Sequence, residues 1–322
     1  MIAFSGIGKN DVLQVLKPIE LLQLKLRCLY EQNGYRKYDM SRFEEYSLYM
    51  ENRRFLINDA VITFTDLDGR LLALKPDVTL SIVKHSGAQE QRLYYTENVY
   101  RPDRAKRSFK EIQQVGLERI GNLNGDVVAE VVALAAGSLK LISEESLLEI
   151  SHCGFVTGLL NSLSLEDRVR KELIKLIGEK NVHGIKELSR RACLDTNSTS
   201  VLCEIPFLSG DLEDVIARAR ALCSCAEMDE SISELSYLAD ALSKQDGLCK
   251  IKADLSLVGQ EDYYNGVVFS GYIEGLPFRV LSGGRYDALL ERFGNKNGAL
   301  GFAIYLDELE YMFIPACGKE GI

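Results

Sequence analysis

Residues 91–121 hold two long strand-like runs, "QRLYYTENVYRP" and "EIQQVGLERIG", joined by the short polar stretch "DRAKRSFK". A return to a parallel neighbour needs a crossover of a dozen or more residues, so runs this close must pair antiparallel. The chain is therefore built on an antiparallel sheet with flanking helices, an α+β fold, rather than on alternating βαβ units. Other extended segments agree. "VITFTDLDGRLLALKPD" alternates and turns at Asp68-Gly69, which reads as a β-hairpin. "SLLEISHCG", "CKIKADLSLVGQEDYYNGVVFSGYI", "PFRVLSG" and "ALGFAIYL" supply further strand signals, and "SGGRYD" reads as a tight turn ahead of the helix "RYDALLERFG".

Helical periodicity occupies the rest. "LKPIELLQLKLRCLYEQNGY" has apolar residues at helical spacing and ends on Asn33-Gly34, a stop signal; "GDVVAEVVALAAGSLKLI" is an apolar-faced helix. From about residue 155 to 245 nearly everything is amphipathic helix, broken by "ACLDTNSTSVLC", which reads as a loop. The expected organisation is a sheet domain of residues 1–154 and 246–322 interrupted by a helical insertion of residues 155–245. That insertion serves as a lid or as a docking surface.

Composition narrows the function classes. The chain has 322 residues, 46% hydrophobic, enough for one large core or two modest ones. It has no apolar run of 18 residues and no charged-then-apolar start, so a soluble cytoplasmic protein is expected. The eight cysteines are scattered without a CxxC pair and there are three histidines, so no metal site and no cofactor is expected. A net charge of −9 opposes salt-driven nucleic-acid binding over the whole surface. The local exception, "RPDRAKRSFK", sets Arg101, Arg104, Lys106, Arg107 and Lys110 around the single acid Asp103. It is a solvated basic turn or a site for a phosphate or carboxylate.

No nucleophile elbow, phosphate-binding glycine loop or metalloprotease motif is present. What stands out is a set of polar residues at strand positions. Asp77 and Thr79 are two apart, Gln114 and Glu118 four apart, and each pair would share a strand face. Arg101 and Glu97 join them. In "LVGQEDYYNGVVFSGY", read as one extended run, Tyr263 and Tyr264 would point to opposite faces, so one of them must face something other than the core. Together these residues suit a pocket for a small zwitterion, with acids for a cation and Arg and Gln for a carboxylate.

"FTDLDGRLLALKPDVT", "YTENVYRPDRAKRSFKEIQQVGLERIG", "LVGQEDYYNGVVFSGY" and "SGGRYDALLERFGNKNGALGFAIYLDEL" stand in the order of the class II histidyl-tRNA synthetase catalytic domain. They resemble its first hairpin, motif 2, histidine-specific tyrosine segment and motif 3. The resemblance implies the class II fold: a six- or seven-stranded, mostly antiparallel sheet with flanking helices, dimeric through the motif 1 region near residues 34–46. Ser41 stands where motif 1 usually has proline. It also implies histidine contacts at Asp77 (an aspartate where the synthetases use glutamate), Thr79, Arg101, Gln114, Glu118, Tyr263 and Tyr264, with Tyr286 nearby. Of the two adjacent tyrosines, one is expected in packing and the other in the pocket.

Two departures bear on activity. Gly259 stands where the synthetases carry an arginine that helps activate the amino acid, and Glu308 where an arginine holds ATP. An acid there repels a polyphosphate. The chain also ends soon after motif 3, where no anticodon-binding domain is expected. This pattern resembles the regulatory subunits of ATP phosphoribosyltransferase, synthetase paralogues in histidine biosynthesis. The resemblance implies a non-catalytic chain that activates a short-form catalytic subunit in a hetero-octamer of four and four and relays feedback inhibition by histidine. It leaves open whether the inhibitory histidine sits in the inherited pocket or at the subunit junction. The alternatives are an active synthetase-like enzyme and a tRNA-binding paralogue.

Overall fold

The computed structural model describes residues 14–56, 60–87, 89–103, 106–258 and 263–313. In chain order the elements are α1 (Pro18–Gln32), β1 (Arg36–Lys37), β2 (Phe43–Glu45), α2 (Tyr46–Glu51), β3 (Thr63–Thr65), β4 (Leu71–Leu74), α3 (Thr79–His85), β5 (Gln91–Asp103) and β6 (Ser108–Gly121). Then come α4 (Gly125–Ile142), β7 (Ser146–His152), α5 (Cys153–Ser162), α6 (Asp167–Gly178), α7 (Val182–Arg191), α8 (Thr196–Glu204), β8 (Ser209–Asp211), α9 (Leu212–Arg220) and α10 (Ala226–Ser243). The chain continues through β9 (Lys250–Asp254), β10 (Val267–Ile273), β11 (Leu281–Arg285), α11 (Asp287–Arg292), β12 (Gly298–Tyr305) and α12 (Leu306–Phe313).

Among the described residues the main sheet has nine strands in the order β1-β5-β6-β12-β11-β10-β7-β9-β8, and β2-β4-β3 form a separate three-stranded sheet. The resemblance implied six or seven strands; the excess comes from the short pairings of β1 with β5 and of β8 with β9 at the two edges. Both pairings with a parallel partner, β1 to β5 and β7 to β9, lie toward the edges, and the interior is antiparallel. The β5–β6 pair runs in register from Gln91↔Ile120 to Asp103↔Ser108 and is the longest ladder in the molecule.

One face of the sheet is packed by helices. Tyr94, Val115, Leu117, Leu300, Phe302, Ile304 and Phe269 project into a large core with Leu26 and Tyr30 of α1 and the apolar stripe of α4. That same core extends through the helical segment: Phe155, Leu173, Ile177, Ile185, Leu202 and Leu235 belong to it. Strand β8, from within that segment, hydrogen-bonds to β9. The opposite face carries a smaller core, in which Leu93, Tyr95, Val99, Ile120 and Ala299 meet α2, α3 and α11.

Three local expectations are corrected. "ACLDTNSTSVLC" holds helix α8, because Asp195 caps it by accepting from the Ser198 amide at 2.9 Å, while Val201 and Leu202 are buried. Its polar first turn hides the apolar face from a periodicity reading. "SGGR" is strand β11 rather than a turn. The glycines are there for close approach: a Cβ on Gly283 would lie 2.5 Å from the Gly301 carbonyl oxygen and 2.5 Å from the Phe302 Cβ. Finally, Asp77 and Thr79 do not lie on a strand; Asp77 ends a loop and Thr79 opens α3.

The packing at Gly283 gives a direct test of the sheet. Gly283→Ala should destabilise the fold by about 1–3 kcal/mol, as overpacking of a closed interior does. Urea unfolding should show a lower midpoint with an unchanged m-value.

Candidate ligand-binding site

The polar face of the sheet is set by register. On β5 and β6, Leu93 lies opposite Glu118, Tyr95 opposite Gly116, and Glu97 opposite Gln114. On β12, Gly301 lies opposite Glu118, Ala303 opposite Gly116 and Tyr305 opposite Gln114. On β11, Ser282 and Gly284 face Ala303 and Gly301. Directly opposed residues share a face, so three rows of alternating positions across four strands form this face, and Tyr95, Gln114, Glu118, Ser282, Gly301, Ala303 and Tyr305 from it line the floor of a cavity of about 920 Å³.

Small residues in that floor make room for large ones. A Cβ on Gly301 would lie 1.8 Å from the Glu118 carboxylate, one on Gly116 2.1 Å from the Tyr95 ring, and one on Gly284 2.7 Å from the Tyr264 ring. Glycine is required at these places because two backbones and a folded-over side chain share one space. The Glu118 carboxyl lies there almost fully buried, at 2% exposure. The Thr79 hydroxyl donates to Oε1 at 2.8 Å, and the Tyr286 hydroxyl donates to Oε2. Burial pushes Glu118 up to about 8, against those two hydrogen bonds and helped by the Asp77 charge. At neutral pH this carboxyl therefore holds its proton for much of the time.

Asp77 closes the side of the cavity. Its Oδ1 accepts from the Leu80 amide at 2.9 Å, capping α3, and its Oδ2 lies 3.7 Å from Arg101 Nη2. Burial raises its pKa, opposed chiefly by the Arg101 charge. Arg101 also donates through Nε to the Pro76 carbonyl at 2.8 Å, tying the loop to β5. Just before it, Lys75 is fully buried and pairs with Glu97 at 2.5 Å. Glu97 is thus committed to the loop's anchorage and does not line the cavity, contrary to the sequence reading.

Tyr263 and Tyr264 are not on opposite faces of a strand, because they precede β10 in a turn. Their rings meet edge to face with centroids 4.7 Å apart, and Tyr263 stands 5.7 Å from Tyr286 and 6.4 Å from Phe55. Both line the cavity, so the division into one packing and one pocket tyrosine fails. Burial raises the pKa of Tyr263, Tyr264 and Tyr286, keeping all three as neutral donors.

Asp77, Thr79, Arg101, Gln114, Glu118, Tyr263, Tyr264 and Tyr286 all line this one cavity. The sequence reading missed Tyr95, Ser282 and Tyr305, which join them. Strand alternation from Arg101 along β5 would have found Tyr95, whereas Tyr305 and Ser282 reach the cavity only through the pairing of β12 with β6 and β11. It also missed a wall from α6, whose signal was an ordinary amphipathic pattern. Gly259 and Arg104 lie outside the described residues. Glu308 does not line the cavity; it opens α12 beside Asp307, and Lys110 Nζ lies 3.8 Å and 3.4 Å from their respective carboxylates. Among the described residues no cluster of His, Cys, Asp or Glu could hold a metal, and no helix is long and apolar enough to cross a membrane. With acids, an arginine, an amide and phenols converging on aromatic walls, the cavity can hold a small molecule bearing both charges.

The comparisons agree with this architecture. Residues 11–309 match the model of the histidyl-tRNA synthetase family. The ATP phosphoribosyltransferase regulatory subunit of Oceanobacillus iheyensis is 30% identical over 289 residues, covering 88% of this chain and 71% of that one. A crystal structure of an ATP phosphoribosyltransferase regulatory subunit/histidyl-tRNA synthetase from Bacillus halodurans superposes with a TM-score of 0.80 at 29% identity, over 90% of this chain and 77% of that one. The ATP phosphoribosyl transferase complex of Thermotoga maritima shares the fold, with a TM-score of 0.71 at 18% identity over 90% of this chain and 97% of that one. The chain belongs to the histidyl-tRNA synthetase-like family of ATP phosphoribosyltransferase regulatory subunits.

Proposed function

We propose that this chain is the non-catalytic partner of a short-form ATP phosphoribosyltransferase catalytic subunit, that it is needed for that subunit's activity, and that its cavity takes free histidine as the feedback signal. The observation that supports the ligand is the convergence of Asp77, Thr79, Arg101, Gln114, Glu118 and three tyrosines on one buried face. Asp77 and Glu118 meet the cationic groups of histidine; Arg101 and Gln114 meet its carboxylate. Histidine regulates by binding more tightly to the inhibited assembly than to the active one, and a coupling of about 1–3 kcal/mol suffices. Assembly proceeds through self-association around residues 34–46 into a hetero-octamer. Exposed Phe43, Phe64 and Leu71 on the three-stranded sheet, the two rings 5.4 Å apart, favour a covered surface there.

Reconstitution tests the reading. The purified chain should give no phosphoribosyl transfer and no histidine-dependent exchange of ATP with pyrophosphate, and should raise the transfer rate when mixed with the short-form subunit. No rate increase would overturn the regulatory role.

In calorimetry on the complex, Glu118→Gln should weaken histidine roughly 10- to 100-fold, from about 1.5–3 kcal/mol for a hydrogen bond to a charged group. Gly301→Ala should do the same by displacing the carboxyl. Unchanged affinity in both variants would move the histidine elsewhere.

The raised Glu118 also predicts two pH effects. The unfolded carboxyl titrates near 4.5 and the folded one at about 8. The folded state therefore keeps a proton that the unfolded state loses, so this group's contribution is fully present below pH 4.5 and is lost as pH rises through about 8. Thermal melts should show wild type losing stability relative to Glu118→Gln across that window. A ligand ammonium beside Glu118 restores its charged form, so histidine binding near pH 7 should release protons. Calorimetry in buffers of different ionisation enthalpy should detect the release in wild type and not in Glu118→Gln.

A further inference from the structure

On the other side of the main sheet from the ligand cavity, helix α4 lies between α1 and α10 as part of the large core. Its outward side is the floor of a separate groove of about 890 Å³, lined by Asp126, Ala129, Ala133, Gly137, Leu141 and Glu144. Spacings of three and four put these residues in one stripe along the helix. The helix has 18 residues, so the stripe is about 27 Å long. Leu29 of α1 forms one wall; Tyr237 and Ala241 of α10 form the other. The middle of the floor is kept low by small side chains. Among the described residues no heavy atom lies within 4 Å of a Cβ built on Gly137. Gly283 and Gly301 are held small by this chain's own packing, but Gly137 makes way for nothing in it. A helix interior disfavours glycine relative to alanine. The bare backbone there has a use when a second backbone comes close to it.

The rim of the groove is acidic. Asp126, Glu130, Glu144, Asp240 and Asp246 stand on it, and both lysines among its described lining residues are already paired, Lys140 with Glu144 and Lys244 with Asp240 at 2.6 Å. Glu130 is balanced by Arg92 at 2.9 Å. Asp126 accepts from the Tyr237 hydroxyl at 2.5 Å, a neutral partner that leaves its charge in place, and Asp246 is exposed. Negative charge therefore remains at two points of the rim, above a long apolar floor. A small cation would use the rim and leave the floor uncovered. A helix laid along α4 uses both, with an apolar ridge on the small residues and lysine or arginine on its flanks.

Resting on the regulatory reading above, which supplies the partner, we propose that this groove receives a basic amphipathic helix of the catalytic chain. The helix lies along α4 with its apolar ridge over Gly137 and its cations toward Asp126 and Asp246.

Calorimetry and sedimentation with the full chain and the short-form catalytic subunit test it. Association of the wild-type pair should weaken as salt rises. G137R puts a long cation into open space on the floor, so it should weaken association about tenfold or more without lowering the melting temperature. Charge reversal in the exposed double variant E144K/D246K should weaken association about tenfold. Affinities equal to wild type in both variants would overturn the groove and leave the regulatory role standing. A wild-type chain that neither binds nor activates the catalytic subunit would overturn both. Loss of self-association in G137R alone in solution would also overturn the proposal, giving the groove to a second copy. Should G137R fail to fold, unchanged affinity in E144K/D246K is decisive against it.

Discussion

The carboxyl of Glu118, folded over Gly301 and gripped by Thr79 and Tyr286, joins three separate parts of the chain at one point. It stands on β6, Thr79 opens α3, and Tyr286 immediately precedes α11. Burying a carboxyl costs free energy unless hydrogen bonds or protonation compensate, and here both do. The result is a proton-holding acid on the sheet that a cation can ionise. Glu118, Thr79 and Tyr286 all line the cavity and Tyr286 also packs in the smaller core, so the same contacts serve both.

A second constraint fixes the side wall. Arg101 holds the Pro76 carbonyl and approaches Asp77, while Lys75 is buried against Glu97. These contacts fasten the end of β4 to β5, and β4 is the central strand of the three-stranded sheet whose Phe43 and Phe64 are exposed. A change at Asp77 is thus two residues from a buried ion pair and continuous with an apolar outer surface. These contacts join the cavity wall directly to that outer surface. Opposite Arg101 in the β5–β6 ladder, Lys110 lies within ion-pair distance of Asp307 and Glu308 and helps dock α12 on β6.

The sheet was largely legible because its signals are local. The β5–β6 pair follows from two extended runs with a short connection, the β3–β4 hairpin from Asp68-Gly69, and α4 from an uninterrupted apolar stripe. Where the reading of the sheet erred, a contact between segments outweighed the local pattern. Gly283 and Gly284 look like turn residues, but they are strand residues kept small by β12 and Tyr264. Tyr263 and Tyr264 look like alternating strand positions, but a turn ahead of β10 brings both rings to one side.

By itself the sequence disclosed an antiparallel α+β fold through local alternation, while the eight candidate residues for an amino acid came through its resemblance to the synthetase family. Their meeting in one cavity, the expulsion of Glu97 from it, the raised Glu118 and the wall from α6 depend on contacts between segments tens to hundreds of residues apart. Such contacts leave no periodic trace, because what matters there is which backbones come close enough to exclude a Cβ and which charges are shut away from water.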